Sequence, residues 1–130
     1  GYTVTPLLAS HDRRERCLLY IIEKDGKRLL YANDTGLFPD ATWEYLRGQR
    51  FDLVSMDCTM GRHKEGTNHM GLPDNAEMQK RLTEMGCADT GTKWVITHFS
   101  HHGGLLHREL EEAAKPYGFM VAYDGFTVEF

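Results

Sequence analysis

Proline is scarce, with 4 among 130 residues, and no stretch has the proline, serine or glycine enrichment of a linker. A single domain over residues 1–130 is therefore expected, and a chain of this length can bury a core. No apolar run approaches the roughly 20 residues that a membrane-spanning helix requires. The opening GYTVTPLLAS has neither the basic region nor the long apolar region of a secretory leader. Positive charge is also lacking: 15 Lys and Arg against 19 Asp and Glu leave a net charge of −4. That balance gives no pull toward nucleic acid or an acidic membrane surface, so neither partner is expected. Cysteine numbers only three, widely spaced and without a C-x-x-C pair. This argues against a disulfide framework and fits the reduced thiols of a cytoplasmic protein. There are no internal repeats. The first residue is Gly rather than Met, which fits a piece of a longer protein.

What the chain does have is histidine: seven in all, four of them between His98 and His107. The stretch KWVITHFSHHGG runs from a β-branched strand straight into three of these histidines. A histidine where a buried strand meets a loop is held by a rigid sheet and is suited to metal binding or proton transfer. A solvated histidine-rich turn is the plain alternative.

Alternation over YTVTPLLA predicts a strand leading to His11. CLLYIIEKDGKRLLYAND reads as a hairpin about Asp25-Gly26, with its second strand ending near Asp34. Asp40 is expected to cap a short helix through Arg47. FDLVSMDCT is a further strand ending near Asp57. From Thr59 to Pro73 the pattern lapses into a loop long enough to suggest function or mobility. A helix opened by Asp74 or Asn75 follows, with Ala76, Met78, Leu82 and Met85 inward and Gly86 as its stop. After the Trp94–His98 strand, a helix from about Leu105 to Lys115 is broken by Pro116. FMVAYDG and FTVEF then read as two closing strands. The order β-β-β-α-β-α-β-α-β-β predicts an α/β layer structure with a mixed sheet. His11, Asp34, Asp57 and His98 all follow strand-like runs, a placement from which they can converge.

Taken in order, SHD with His11, YANDTG with Asp34, DCTMG, TNHMG with His69, VITHFSH with His98 and AYDGFTVEF resemble the metallo-β-lactamase superfamily. The nearest likeness is to the PhnP-like cyclic phosphodiesterases, with the tRNA 3′-processing endonucleases more distant. The resemblance implies the C-terminal part of a metallo-β-lactamase-type αββα sandwich. It also implies that His11 ligates one metal, Asp34 bridges two, and His98 ligates the second. His69 would assist the phosphoryl chemistry, with His63 as its competitor in the same loop, and Asp57 would support the site. Zn²⁺ or Mn²⁺ suits such donors, and the dinuclear centre would attack a small phosphodiester, cyclic ones included, with metal-bound hydroxide.

The superfamily's His-x-His-x-Asp-His cluster has no counterpart here, so the resemblance implies an incomplete site. An alternative follows from that gap. A non-catalytic remnant or interaction module would keep half of the fold, and its exposed apolar faces would favour self-association or a missing N-terminal half. His101 and His102 are expected at the surface or behind the site, and His107 on a helix surface.

Overall fold

A computed structural model describes residues 1–130. Six strands lie in sequence order across one sheet: β1 (Thr3–Leu8), β2 (Leu18–Lys24), β3 (Lys27–Ala32), β4 (Leu53–Asp57), β5 (Lys93–Thr97) and β6 (Phe119–Val121). β1, β2 and β3 pair antiparallel, and β3 through β6 pair parallel. The β2–β3 hairpin turns at Asp25 and Gly26, whose φ angles of 50° and 76° suit a tight turn that follows the strands' twist. The expected mixed sheet is thus present.

Three helices complete the layer: α1 (Asp40–Leu46), α2 (Leu72–Glu84) and α3 (His107–Ala114). Alternate strand residues, including Leu19, Ile21, Leu30, Val54, Met56 and Ile96, join Trp43, Leu46, Met78, Leu82 and Leu110 of the helices in one core cluster. All three helices therefore cover the same face. Each such side chain taken fully from water contributes about 1.5–3 kcal/mol before entropy is counted. No helix is long and apolar enough to cross a membrane.

Some boundaries differ from expectation. Pro39 precedes α1 as its cap residue, and Asp40 is already helical. α2 starts at Leu72, two residues before Asp74, because the Asp74 carboxylate accepts from the Gly71 N–H (2.9 Å) and caps the helix from within. Met78 and Leu82 are buried as expected, while Ala76 and Met85 are only half-buried. α3 is shorter than expected, and Pro116 lies in the 3-10 turn that follows it. FTVEF forms no strand. Phe126 and Val128 instead line a groove of about 270 Å³ with Leu29, Tyr31, Leu53 and Val95, on the sheet face away from the helices. The alternation is real, but the segment crosses the sheet face instead of pairing with the open edge of β6.

Candidate metal centre

Because β1 and β3 both pair antiparallel to β2, they run in the same direction, which β4, β5 and β6 share. The C-terminal ends of five strands therefore open on one rim, the usual location for chemistry in such sheets. His11 follows β1, Asp34 follows β3, Asp57 closes β4 and His98 follows β5.

On that rim Asp34 meets His98, His98 meets His69, and His69 meets His11. His98 Nε2 lies 2.9 Å from Asp34 Oδ1, and its Nδ1 lies 2.7 Å from Thr59 Oγ1. The His69 ring stacks on His98 at 5.5 Å between centroids and meets His11 edge-on at 4.7 Å. His11 Nδ1 donates to the Asn68 carbonyl at 2.8 Å. His98 has φ 64°, in the left-handed region that a non-glycine residue enters only when its surroundings hold it there. Both ring nitrogens are tied, which supplies that hold. His63 is exposed and outside the cluster, and its ring makes no hydrogen bond. His101 and His102 lie exposed in the 3-10 turn His101–Gly103, and His107 faces Glu111 on α3 at 3.2 Å.

Asp57 is fully buried. Its Oδ1 accepts from the Thr59 N–H (2.9 Å) and the Met70 N–H (3.3 Å). Its Oδ2 accepts from His69 Nδ1 (2.7 Å) and the Thr35 N–H (3.3 Å). The Asn75 side-chain amide donates to the Asp57 and Gly71 carbonyls at 2.8 and 2.9 Å. The expected long loop is thus pinned from beneath. Its glycines let backbone approach backbone: a Cβ on Gly71 would collide with the His63 carbonyl, and one on Gly61 with the Gly103 carbonyl. Burial, reinforced by Asp57 and Asp74, pushes the Cys58 thiol up to about 12, so it is an inert core group rather than a thiolate ligand.

These donors fit a divalent ion. Ligand atoms about 2.0–2.2 Å from Zn²⁺ stand about 3 Å or slightly more apart, and Asp34 Oδ1 and His98 Nε2 have close to that spacing at 2.9 Å. With its Nδ1 donating to a carbonyl, neutral His11 carries its lone pair on Nε2, as a ligating imidazole does. Ligating atoms of Asp57, His69 and His98 also lie within 4.8 Å of one another. The Asp57 carboxylate, however, already accepts four hydrogen bonds, which suits an anchor better than a ligand. Asp34 and His98 thus present two donors at ligand spacing, while the His11 ring packs against His69; a single catalytic zinc takes three ligands from protein.

Next to the histidines is a polar recess of about 550 Å³, lined by His11, Asp12, Arg13, Asn68 and His69 with no apolar residue. Arg14 is paired with Asp12 at 2.8 Å and holds that carboxyl below its usual range. Arg13 forms no ion pair.

The profile of the beta-lactamase superfamily domain matches residues 1–99. The chain belongs to that superfamily. No curated protein sequence matches it significantly. Among solved structures, this superfamily member resembles the metallo-beta-lactamase fold protein YhfI from Bacillus subtilis, at 23% identity and TM-score 0.67. That match covers 96% of this chain and 48% of YhfI. A possible metal-dependent hydrolase from Veillonella parvula aligns at 17% identity and TM-score 0.72, covering 98% of this chain and 54% of its own. Zn²⁺-bound PqqB from Methylobacterium extorquens aligns at 16% and 0.63, covering 99% and 50%. The chain thus spans about half the length of these structures, and at such identities the likeness establishes the fold.

Sequence reasoning missed Thr59, Asn68 and Asn75. Only Thr59 left a readable sign, two residues beyond a strand-end aspartate.

Proposed function

We propose that this chain is the C-terminal portion of a metal-dependent hydrolase of the phosphodiesterase type, acting on a small phosphodiester, cyclic ones included. The observation that carries the reading is the convergence of His11, Asp34, His69 and His98 on one rim. His11, Asp34 and His98 would hold Zn²⁺ or Mn²⁺, and a second ion would need ligands beyond these three. A divalent ion held there would supply Lewis acidity and make a water acidic near neutral pH.

The chain's own groups do the rest. Asp57 accepts the His69 Nδ1 proton, which fixes the ring and leaves Nε2 without a partner inside the chain. That nitrogen can pass a proton to a leaving oxygen or take one from a nucleophile. The apolar-free recess, with Arg13 unpaired, suits an anionic, hydrophilic substrate.

The test is hydrolysis of bis(4-nitrophenyl) phosphate and a 2′,3′-cyclic nucleotide by the full-length protein loaded with Zn²⁺ or Mn²⁺. Asp34→Ala and His98→Ala should each abolish turnover. Turnover preserved in both variants would sink the proposal.

A second reading is favoured by the apolar groove on the uncovered sheet face. It makes the chain an interaction module whose face is covered by a second copy or by the remainder of a two-sheet fold. Self-association in sedimentation velocity supports a second copy. A monomer that binds no hydrophobic dye counts against the module.

A further inference from the structure

We propose that Thr59 is a positioning residue whose hydroxyl holds His98 Nδ1 in both of its tautomers, donating to it while Asp34 keeps the proton on Nε2 and accepting from it when Nε2 becomes a ligand. The part concerning the ligand state rests on the metal reading above; the metal-free part does not.

β4 and β5 pair in parallel with Asp57 opposite Thr97, and the Cys58 N–H donates to the Thr97 carbonyl at 2.8 Å. That register carries Thr59 and His98 off the sheet side by side. The Asp57 carboxylate fixes the Thr59 backbone at 2.9 Å. Thr59 Oγ1 then lies 2.7 Å from His98 Nδ1 and 3.2 Å from His69 Nδ1. Asp57 Oδ2, at 3.6 Å from His98 Nδ1, is beyond hydrogen-bonding reach. The hydroxyl is therefore the group that His98 Nδ1 meets.

A neutral imidazole carries one N–H, and here both nitrogens face a partner. Nε2 faces a carboxylate, which only accepts, at 2.9 Å. In the metal-free chain the proton accordingly sits on Nε2 and is donated to Asp34, so Nδ1 must accept from Thr59. For Nε2 to act as a ligand its proton must go to water, and another must arrive at Nδ1. The ring gains no net proton. Thr59 then has to accept instead of donate. A hydroxyl has one proton, two lone pairs and a free rotor, so it can serve both states; a carbonyl or a carboxylate could not donate, and an ammonium could not accept. The proximity of His69 Nδ1 does not compete, because its proton is directed to Asp57 at 2.7 Å.

The experiment compares the full chain with Thr59→Val, which keeps the shape and removes the hydroxyl, and Thr59→Ser, which restores it. Long-range proton–nitrogen NMR of the His98 ring, at a pH where the ring is neutral, reads the protonated nitrogen directly. In the metal-free wild type the proton should be on Nε2, where Asp34 keeps it in Thr59→Val as well. Loss of the donated hydrogen bond should move the Nδ1 resonance further downfield in Thr59→Val, and Thr59→Ser should return it to the wild-type position. An unchanged His98 spectrum in a folded Thr59→Val overturns the proposal, whatever metal does. Competition against a chromophoric chelator should show Zn²⁺ binding weakened by about 10–100-fold in Thr59→Val, the range for losing a partner of a metal-ligating histidine, with rescue by serine. Equal Zn²⁺ affinity in wild type and Thr59→Val overturns the ligand-state part. A wild type that takes no Zn²⁺ overturns that part together with the metal reading, and leaves the metal-free spectrum to decide the rest.

Discussion

His98 and its neighbours His101 and His102 fall within five residues, yet only the first belongs to the site. His98 is the first residue past β5, and it is held by Asp34 at one nitrogen and Thr59 at the other. His101 and His102 lie exposed in the turn beyond, and the contact recorded there is the His102 N–H donating to Ser100 Oγ at 3.2 Å. His69, by contrast, is far away in sequence and stacks on His98 because Asp57 draws its ring down. Density of histidine in sequence therefore does not make the site. Placement at the end of a strand does, together with a buried partner that fixes the ring.

The sharpest way to break this comparison is to remove each histidine in turn and measure metal retained after dialysis. His98→Ala should lower Zn²⁺ affinity by at least about 100-fold, more than the loss of an outer partner would cost. His101→Ala and His102→Ala should stay within about threefold of wild type, since neither ring has a tie to the rim. Equal losses at all three positions would mean that the turn itself binds the metal. The backbone offers a second reading of the same residue. With φ at 64°, glycine is less strained here than alanine, so His98→Gly should exceed His98→Ala in unfolding free energy by about 1 kcal/mol, read by urea titration, while binding metal as poorly.

The same contrast accounts for what was legible in the sequence. Strand exits are written in local patterns: the β-branched run before His98, the Asp25-Gly26 hairpin before Asp34, and the apolar stretch before Asp57. Those patterns placed His11, Asp34 and His98 on a common rim because three strands run the same way; there Asp34 meets His98, and His11 meets His69. What could not be read depends on contacts between distant segments. Asp57 looked like a supporting residue, and its four hydrogen bonds come from Thr35, from Thr59 and from the adjacent His69 and Met70. The loop from Thr59 to Pro73, without periodicity, was long enough to suggest function or mobility. It is held by close backbone approaches at Gly61 and Gly71, which leave no trace in the pattern. FTVEF shows the opposite failure. Its alternation predicts a strand, but whether such a segment pairs with an edge or packs across a sheet face is decided by distant residues, here Leu29, Tyr31, Leu53 and Val95.

A smaller effect tests the anchoring half of the comparison. Asp57→Asn keeps the shape of the buried side chain but converts one acceptor oxygen into an NH2 donor. If the remaining oxygen keeps the Thr59 and Met70 N–H groups, the new NH2 faces the Thr35 N–H and the His69 ring, donor against donor. Hydrogen bonds to a charged group contribute about 1.5–3 kcal/mol, so a loss of about 2 kcal/mol in unfolding free energy is expected, read by urea titration. His69 has a partial escape, because moving its proton to Nε2 turns Nδ1 into an acceptor for the new amide. The variant should therefore stay folded, with the His69 tautomer reversed and Nε2 no longer the open nitrogen. Wild-type stability together with an unchanged His69 spectrum would remove Asp57 from the role of anchor and return its carboxylate to the list of ligand candidates with His69 and His98.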